Sequence, residues 1–156
     1  MQGAGADIWG TADQFHYVWQ GLPADGGVSA RVVTQTAPSG NAKAGVMLRA
    51  SAAANAAYYA ALVTPAHGVL VQYRATTGIT ATQAVSLTGA APVYLEVARF
   101  GSVYTAYTSG DGVTWTAIAK SSKTLGMSGP ILAGLAVTAH KQGVLGSATF
   151  DGVRLP

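Results

Sequence analysis

From Gln14 to Phe150 apolar and polar residues alternate with a period of two, and glycine-bearing turns interrupt the alternation at short, fairly even intervals. That period sends successive side chains to opposite faces of a strand, and many short strands in a row define an all-β sandwich or barrel. The alternation predicts strands at 14–20, 29–36, 44–49, 58–63, 69–74, 93–100, 103–108, 114–119, 131–138 and 147–150. The turn signals between them are 24–27 (Ala-Asp-Gly-Gly), 38–41 (Pro-Ser-Gly-Asn), 101–102, 110–112 (Gly-Asp-Gly) and 141–143. One segment disagrees. Residues 50–61 are so rich in alanine that intrinsic propensity favours a helix. Because its neighbours are strands, the expectation there is a loop or single helical turn over Ser51–Ala56, then a strand. With no internal repeat and no linker, the 156 residues form one domain, 1–156.

Composition removes several function classes. Hydrophobic residues make up 49% of the chain and charged residues only 10%, which opposes disorder. No stretch approaches the roughly 18 uninterrupted apolar residues of a membrane span; the best candidate, 42–63, is broken by Lys43, Arg49, Ser51 and Asn55. Nine Lys and Arg against six Asp and Glu give a net charge of +3. These cations are scattered, with only Lys120 and Lys123 close together, so no stripe exists to neutralise a run of phosphates. Neither a nucleic acid nor a membrane is expected as partner. Cysteine is absent, which excludes disulfides and thiolate chemistry. The segment after Met1 lacks the charge and apolar run of a signal peptide, and the expectation is a fragment of a longer secreted chain.

Catalytic patterns are weak. Glycoside hydrolysis needs two carboxylates flanking the bond, and the six acids are Asp7, Asp13, Asp25, Glu96, Asp111 and Asp151. Asp25, Asp111 and Asp151 each precede a glycine, as turn-forming aspartates do. Glu96, the sole glutamate, has no second acid near it in sequence. His16, His67 and His140 show no zinc-binding spacing, and G-x-S-x-G is absent. Gly3-Ala4-Gly5 lacks the strand and third glycine of a dinucleotide fingerprint. Residues 109–115, Ser-Gly-Asp-Gly-Val-Thr-Trp, resemble an Asp-box hairpin one residue short, in which the Asp closes the turn and the Trp packs beneath it.

The informative pattern is a shared face. Several strands carry Gln, His or Arg on one side: Gln14, His16 and Gln20 opposite Phe15, Tyr17 and Trp19; Arg49 with Met47 opposite Val46 and Leu48; Gln72 and Arg74 with Leu70 opposite Val69, Val71 and Tyr73. Arg31 and Gln35 oppose Ala30 and Val32, and Thr138 and His140 oppose Val137 and Ala139. An antiparallel sheet often leaves one face in water, which accounts for part of this. Planar Arg, Gln and His groups interleaved with apolar ground suit hydroxyl-rich ligands better than a merely solvated face does. The expected ligand-binding set is therefore His16, Arg49, Gln72 and Arg74, with Gln14 and His140 at its margins. Trp19 and Tyr17 alternate with the apolar set and are expected in the core. A competing loop site would draw on His67 and Lys141.

The run 7–20 (Asp-Ile-Trp-Gly-Thr-Ala-Asp-Gln-Phe-His-Tyr-Val-Trp-Gln), with Ser29–Val32, Ala42–Arg49, Gly68–Arg74, Thr105–Tyr107, Gly134–His140 and Ala148–Val153, resembles the bacterial concanavalin A-like (laminin-G-like) β-sandwich modules. These are appended to secreted carbohydrate-active enzymes and other exported proteins. The resemblance covers nearly the whole chain and implies an all-β antiparallel two-sheet jelly roll with at most a short helical turn. It also implies a secreted, non-catalytic module that binds polysaccharide or glycan, with a tethered catalytic domain as partner. Glucanase members carry an E-x-D-x-x-E strand that this sequence lacks, so no enzyme is expected. The alternative is a structural or protein-interaction module without glycan affinity. Members often hold a structural calcium, for which Asp7 and Asp151 are the carboxylates near the two chain ends. Relatives carry one more strand before Gly3–Asp7, which would leave an edge open to self-association.

Overall fold

Thirteen strands and no helix make up the described residues, 1–155, of the computed structural model. They are β1 (Gln2–Gly5), β2 (His16–Leu22), β3 (Gly26–Gln35), β4 (Lys43–Arg49), β5 (Tyr58–Thr64), β6 (Gly68–Arg74), β7 (Thr82–Leu87), β8 (Val93–Phe100), β9 (Val103–Ser109), β10 (Trp115–Ala117), β11 (Lys123–Thr124), β12 (Ile131–Thr138) and β13 (Lys141–Arg154). Two antiparallel sheets pack as a jelly-roll-like sandwich: β1-β13-β3-β8-β9-β10, with β11 also on β9, against β2-β12-β4-β5-β6-β7. Their facing sides form one core, in which Val28, Ala30, Val32, Leu95 and Val97 of the first sheet meet Val46, Leu48, Tyr59, Ala61, Val69 and Val71 of the second.

The face assignments for β4 and β6 hold: Val46 and Leu48 enter that core, while Met47 belongs to a second cluster on the outer face of the six-stranded sheet. This second cluster exists because the chain between β1 and β2 lies across that face as a strap. Ile8, wholly buried, packs there with Met47, Tyr58, Ala60 and Leu62. Strands β4 and β5 are consequently buried on both sides. Their sequences, KAGVMLR and YYAALVT, are near-continuous apolar runs, as doubly covered strands require.

The alanine-rich segment between β4 and β5 forms a loop of turns and bends without the helical turn. Its carbonyls are taken by other groups: Ala53 and Ala54 accept Arg49 Nη2 at 2.6 and 3.0 Å, Ala54 also accepts Asp13 N–H, and Ala56 accepts Arg74 Nη1. A helix would need those acceptors for itself. Two expected turns are also strand. Residues 26–27 open β3, and 141–143 open the long β13, whose first half pairs with β1 and second half with β3.

A strapped face with two grooves

Asp13 lies at the centre of the strap with its carboxylate shielded from water, between two guanidinium groups. Arg49 Nη1 donates to Oδ2 at 2.7 Å; Arg74 donates from Nη1 to Oδ2 at 2.7 Å and from Nη2 to Oδ1 at 2.8 Å. The remaining donors of Arg74 reach the carbonyls of Trp9, Gly10, Ala56 and Ile79. Burial opposes the Arg74 charge, yet the hydrogen bonds and proximity of Asp13 outweigh it and raise its pKa. Both guanidinium groups also stand over the Tyr58 ring, at 5.7 and 5.0 Å.

Three members of the expected binding set are therefore not on an open surface. Arg49, Gln72 and Arg74 share the outer face, but the strap covers them and they bond to it. Glu96 is on β8 in the opposite sheet, where desolvation raises its carboxyl above the usual range. His16 takes the other side altogether. It pairs with Val137, whose side chain enters the inter-sheet core, and its Nδ1 meets Gln2 O at 2.5 Å. The phase of β2 thus puts Phe15, Tyr17 and Trp19 on the side of Met47 and Arg49. Trp19 is not core: it is 48% exposed on an edge strand. Tyr17 is half-buried, donating to Met47 O at 3.0 Å, and desolvation raises its phenol.

The strap leaves a groove on each flank. The first, about 260 Å³, is walled by Asp7, Trp9, Lys43, Gln72, Gln83 and His140, with Asn41 and Leu70 completing it. Lys43 Nζ donates to Asp7 Oδ1 at 2.7 Å and to Ile8 O at 2.9 Å, and stands 5.5 Å from the Trp9 ring centre. Its pKa is lowered by desolvation, which prevails over the Asp7 hydrogen bond and the Asp7 and Asp13 charges. Gln72 donates through Nε2 to Ile8 O and to Tyr58 Oη, both at 2.7 Å, and its Oε1 is buried with no donor. His140 Nε2 is 3.3 Å from Asp7 Oδ2, and its Nδ1 is 3.5 Å from Ser39 Oγ. That hydroxyl also accepts Asn41 N–H at 3.2 Å, so it braces the turn leading into β4. The second groove, about 400 Å³, is walled by Phe15, Tyr17, Trp19, Gln14 and Arg49, with Asp13, Ala52, Ala54 and the start of β2 at His16 completing it.

Elsewhere the expected residues disperse. Asp7 pairs with Lys43 and His140, whereas Asp151 pairs with Arg31 at 3.7 Å on the other sheet, so the two carboxylates take separate partners. Among the described residues no three His, Asp or Glu side chains gather as a metal site would need. Asp151 sits in β13 at a bulge and not in a turn. Asp25 and Asp111 do serve turns, and Trp115 packs edge-on against Tyr94 at 6.4 Å. His67 lines a loop cleft with Ser86 and Leu87 that Lys141 does not join. Trp9, Asn41, Lys43 and Gln83 were not marked by the alternation. The only cue in the sequence was the unpaired aromatic of Trp9 ahead of the first predicted strand.

No known family model matches the sequence, and no curated protein matches it. Among solved structures, a functionally unknown protein from Saccharomyces cerevisiae aligns over 97% of this chain and 82% of its own, at 20% identity and TM-score 0.73. A GH43 protein from Bacillus licheniformis aligns over 84% of this chain and 27% of its own, at 17% identity and TM-score 0.59. Both likenesses concern the fold: a two-sheet antiparallel β-sandwich.

Proposed function

We propose that the chain is a non-catalytic carbohydrate-binding module of a secreted bacterial protein, taking a polysaccharide in the groove beside Trp9. The observation that carries this reading is the groove itself, a cleft of about 260 Å³ on the flank of the strap. Around it stand the Asn41 and Gln83 amides, the Asp7 carboxylate and the Lys43 ammonium, beside a Trp9 indole that is 38% exposed. Sugars combine hydroxyls with apolar C–H faces, and that mixture matches this wall. The fold likeness to 27% of a GH43 protein supports the view of a unit that can form part of a longer chain. The absence of an E-x-D-x-x-E strand supports binding without turnover.

A structural or protein-interaction role is favoured by one feature, the β8–β9 hairpin tip. Phe100 is 82% exposed there, with Val103 beside it. Affinity electrophoresis through gels containing xylan, mixed-linkage β-glucan, arabinan or galactomannan separates the two readings. At least one polymer should retard the native protein, and Trp9→Ala should weaken retention at least tenfold, about 1.4 kcal/mol, with an unchanged circular dichroism spectrum. The variant keeps its fold because Trp9 contributes its backbone carbonyl, not its ring, to Arg74. Free migration in all four gels would leave the interaction reading standing.

A further inference from the structure

We propose that the groove walled by Phe15, Tyr17 and Trp19 is a second glycan site, which makes the domain bivalent toward one polysaccharide; this rests on the glycan-binding reading above. Both grooves belong to the same outer face. A single cross-strand row runs Gln83, Gln72, Ala60, Met47, Gly134, Trp19, each paired with the next. The row starts in the Trp9 groove and ends in the Trp19 groove. Gln72 and Trp19 are four inter-strand steps apart, roughly 19 Å at about 4.8 Å per step. Between them the strap seals Met47 and Ala60 from water.

The second groove repeats the chemistry of the first. Trp19 lies on the sheet with glycine as its row neighbour, and Gly134 has no room for a side chain: a Cβ would stand 2.1 Å from Val18 O. The β12 side of the indole therefore meets no side chain in its row, and about half of Trp19 is open to a ligand. Tyr17 and Phe15, with ring centres 5.6 Å apart, continue the aromatic wall. Gln14 uses its Oε1 on Ala6 N–H at 3.4 Å, which leaves its NH2 group as a donor. Arg49 stands 5.1 Å from the Phe15 ring and is held by Asp13.

The spacing is fixed by the strap. Trp9 and Phe15 flank Asp13 in sequence, and the Asp13–Arg49–Arg74 cluster anchors that segment to β4 and β6. Two weak sites held rigidly at a set distance gain avidity of about 10²–10⁴ toward a polymer, without new contacts. Short oligosaccharides would occupy the grooves independently.

The three tryptophans offer separate reporters, because Trp115 lies on the opposite sheet. The probes are the trisaccharide and hexasaccharide of whichever of xylan, mixed-linkage β-glucan, arabinan or galactomannan retards the protein. The trisaccharide should shift the indole N–H resonances of Trp9 and Trp19 and leave Trp115 in place. Trp19→Ala should keep the Trp9 shift and its trisaccharide affinity, while retention by the polymer falls at least tenfold. A second variant, Gln14→Ala, should weaken only the Trp19 response. A Trp9 response with a silent Trp19, or unchanged polymer retention in Trp19→Ala, would overturn bivalency and leave the first site intact. If no glycan moves either indole, both readings fall.

Discussion

Asp13 is the one acid shared by Arg49 and Arg74, and it ties a ten-residue strap to the sheet beneath. Removing one partner of such a cluster leaves uncompensated charge in a site closed to water. Asp13→Ala should therefore lower unfolding free energy by about 3–5 kcal/mol, measured by urea denaturation. Arg49→Ala and Arg74→Ala should lower the melting temperature too, because each abandons Asp13 and several carbonyls. A melting curve unaffected by Asp13→Ala would mean that Ile8 burial and the Lys43 and Gln72 hydrogen bonds hold the strap without the ion cluster. Sequence alternation correctly placed Arg49, Gln72 and Arg74 on one face with Met47 and Leu70. It could not show what covers that face, since a period of two reports sides and says nothing about a segment folding back. The same period misplaces His16 for a related reason: on an edge strand aromatic residues can point away from the main core, and the phase is then ambiguous.

At the scale of elements, the legible strands are β6, β8, β9 and β12, through apolar alternation, and β4 and β5, through near-continuous apolar runs. β1 and β7 are not legible. QGAG offers no large side chain, and TQAVSL lies at a sheet edge where half-exposed residues dilute the pattern. The β9–β10 hairpin was legible through its turn chemistry. Asp111 Oδ1 accepts the backbone N–H groups of Thr114 at 2.7 Å and Val113 at 2.8 Å, and Ser109 Oγ is 3.0 Å away. These hydrogen bonds hold the carboxyl at about 2, below its ordinary 3.8. Because the folded pKa is the depressed one, the contribution is complete above about pH 4 and is lost as pH falls toward 2. Carboxyl NMR should show Asp111 titrating well below 3.8, with faster amide exchange at Val113 and Thr114 once it is protonated. Asp111→Ala should give that faster exchange at every pH. A midpoint near 3.8 would show that the capped turn is not maintained in solution.

The whole molecule closes by pairing its two chain ends. The Met1 ammonium donates to Ala148 O at 2.8 Å, Ala148 N–H returns to Met1 O at 2.9 Å, and β1 continues along β13 to Lys141. Gly3 makes this approach feasible, since a Cβ there would stand 2.5 Å from Val137 O in the facing sheet. β1 thus covers the first half of the outer edge of β13. The second half is irregular: its register on β3 shifts twice, and Gly152 takes a positive φ of 58°. Bulges of this kind twist an edge away from regular pairing, whereas an uncovered straight edge invites another chain. Removal of Met1–Gly5 should therefore expose backbone donors and acceptors along 141–148, beside Leu145, which is 63% exposed. The shortened chain should associate with rising concentration in light scattering while keeping a β-type circular dichroism spectrum. Leu145→Lys placed in the shortened chain should suppress that association, because a charge on the edge opposes strand addition. Equal scattering from the full and shortened chains, both folded, would show that the bulged half of β13 protects the entire edge.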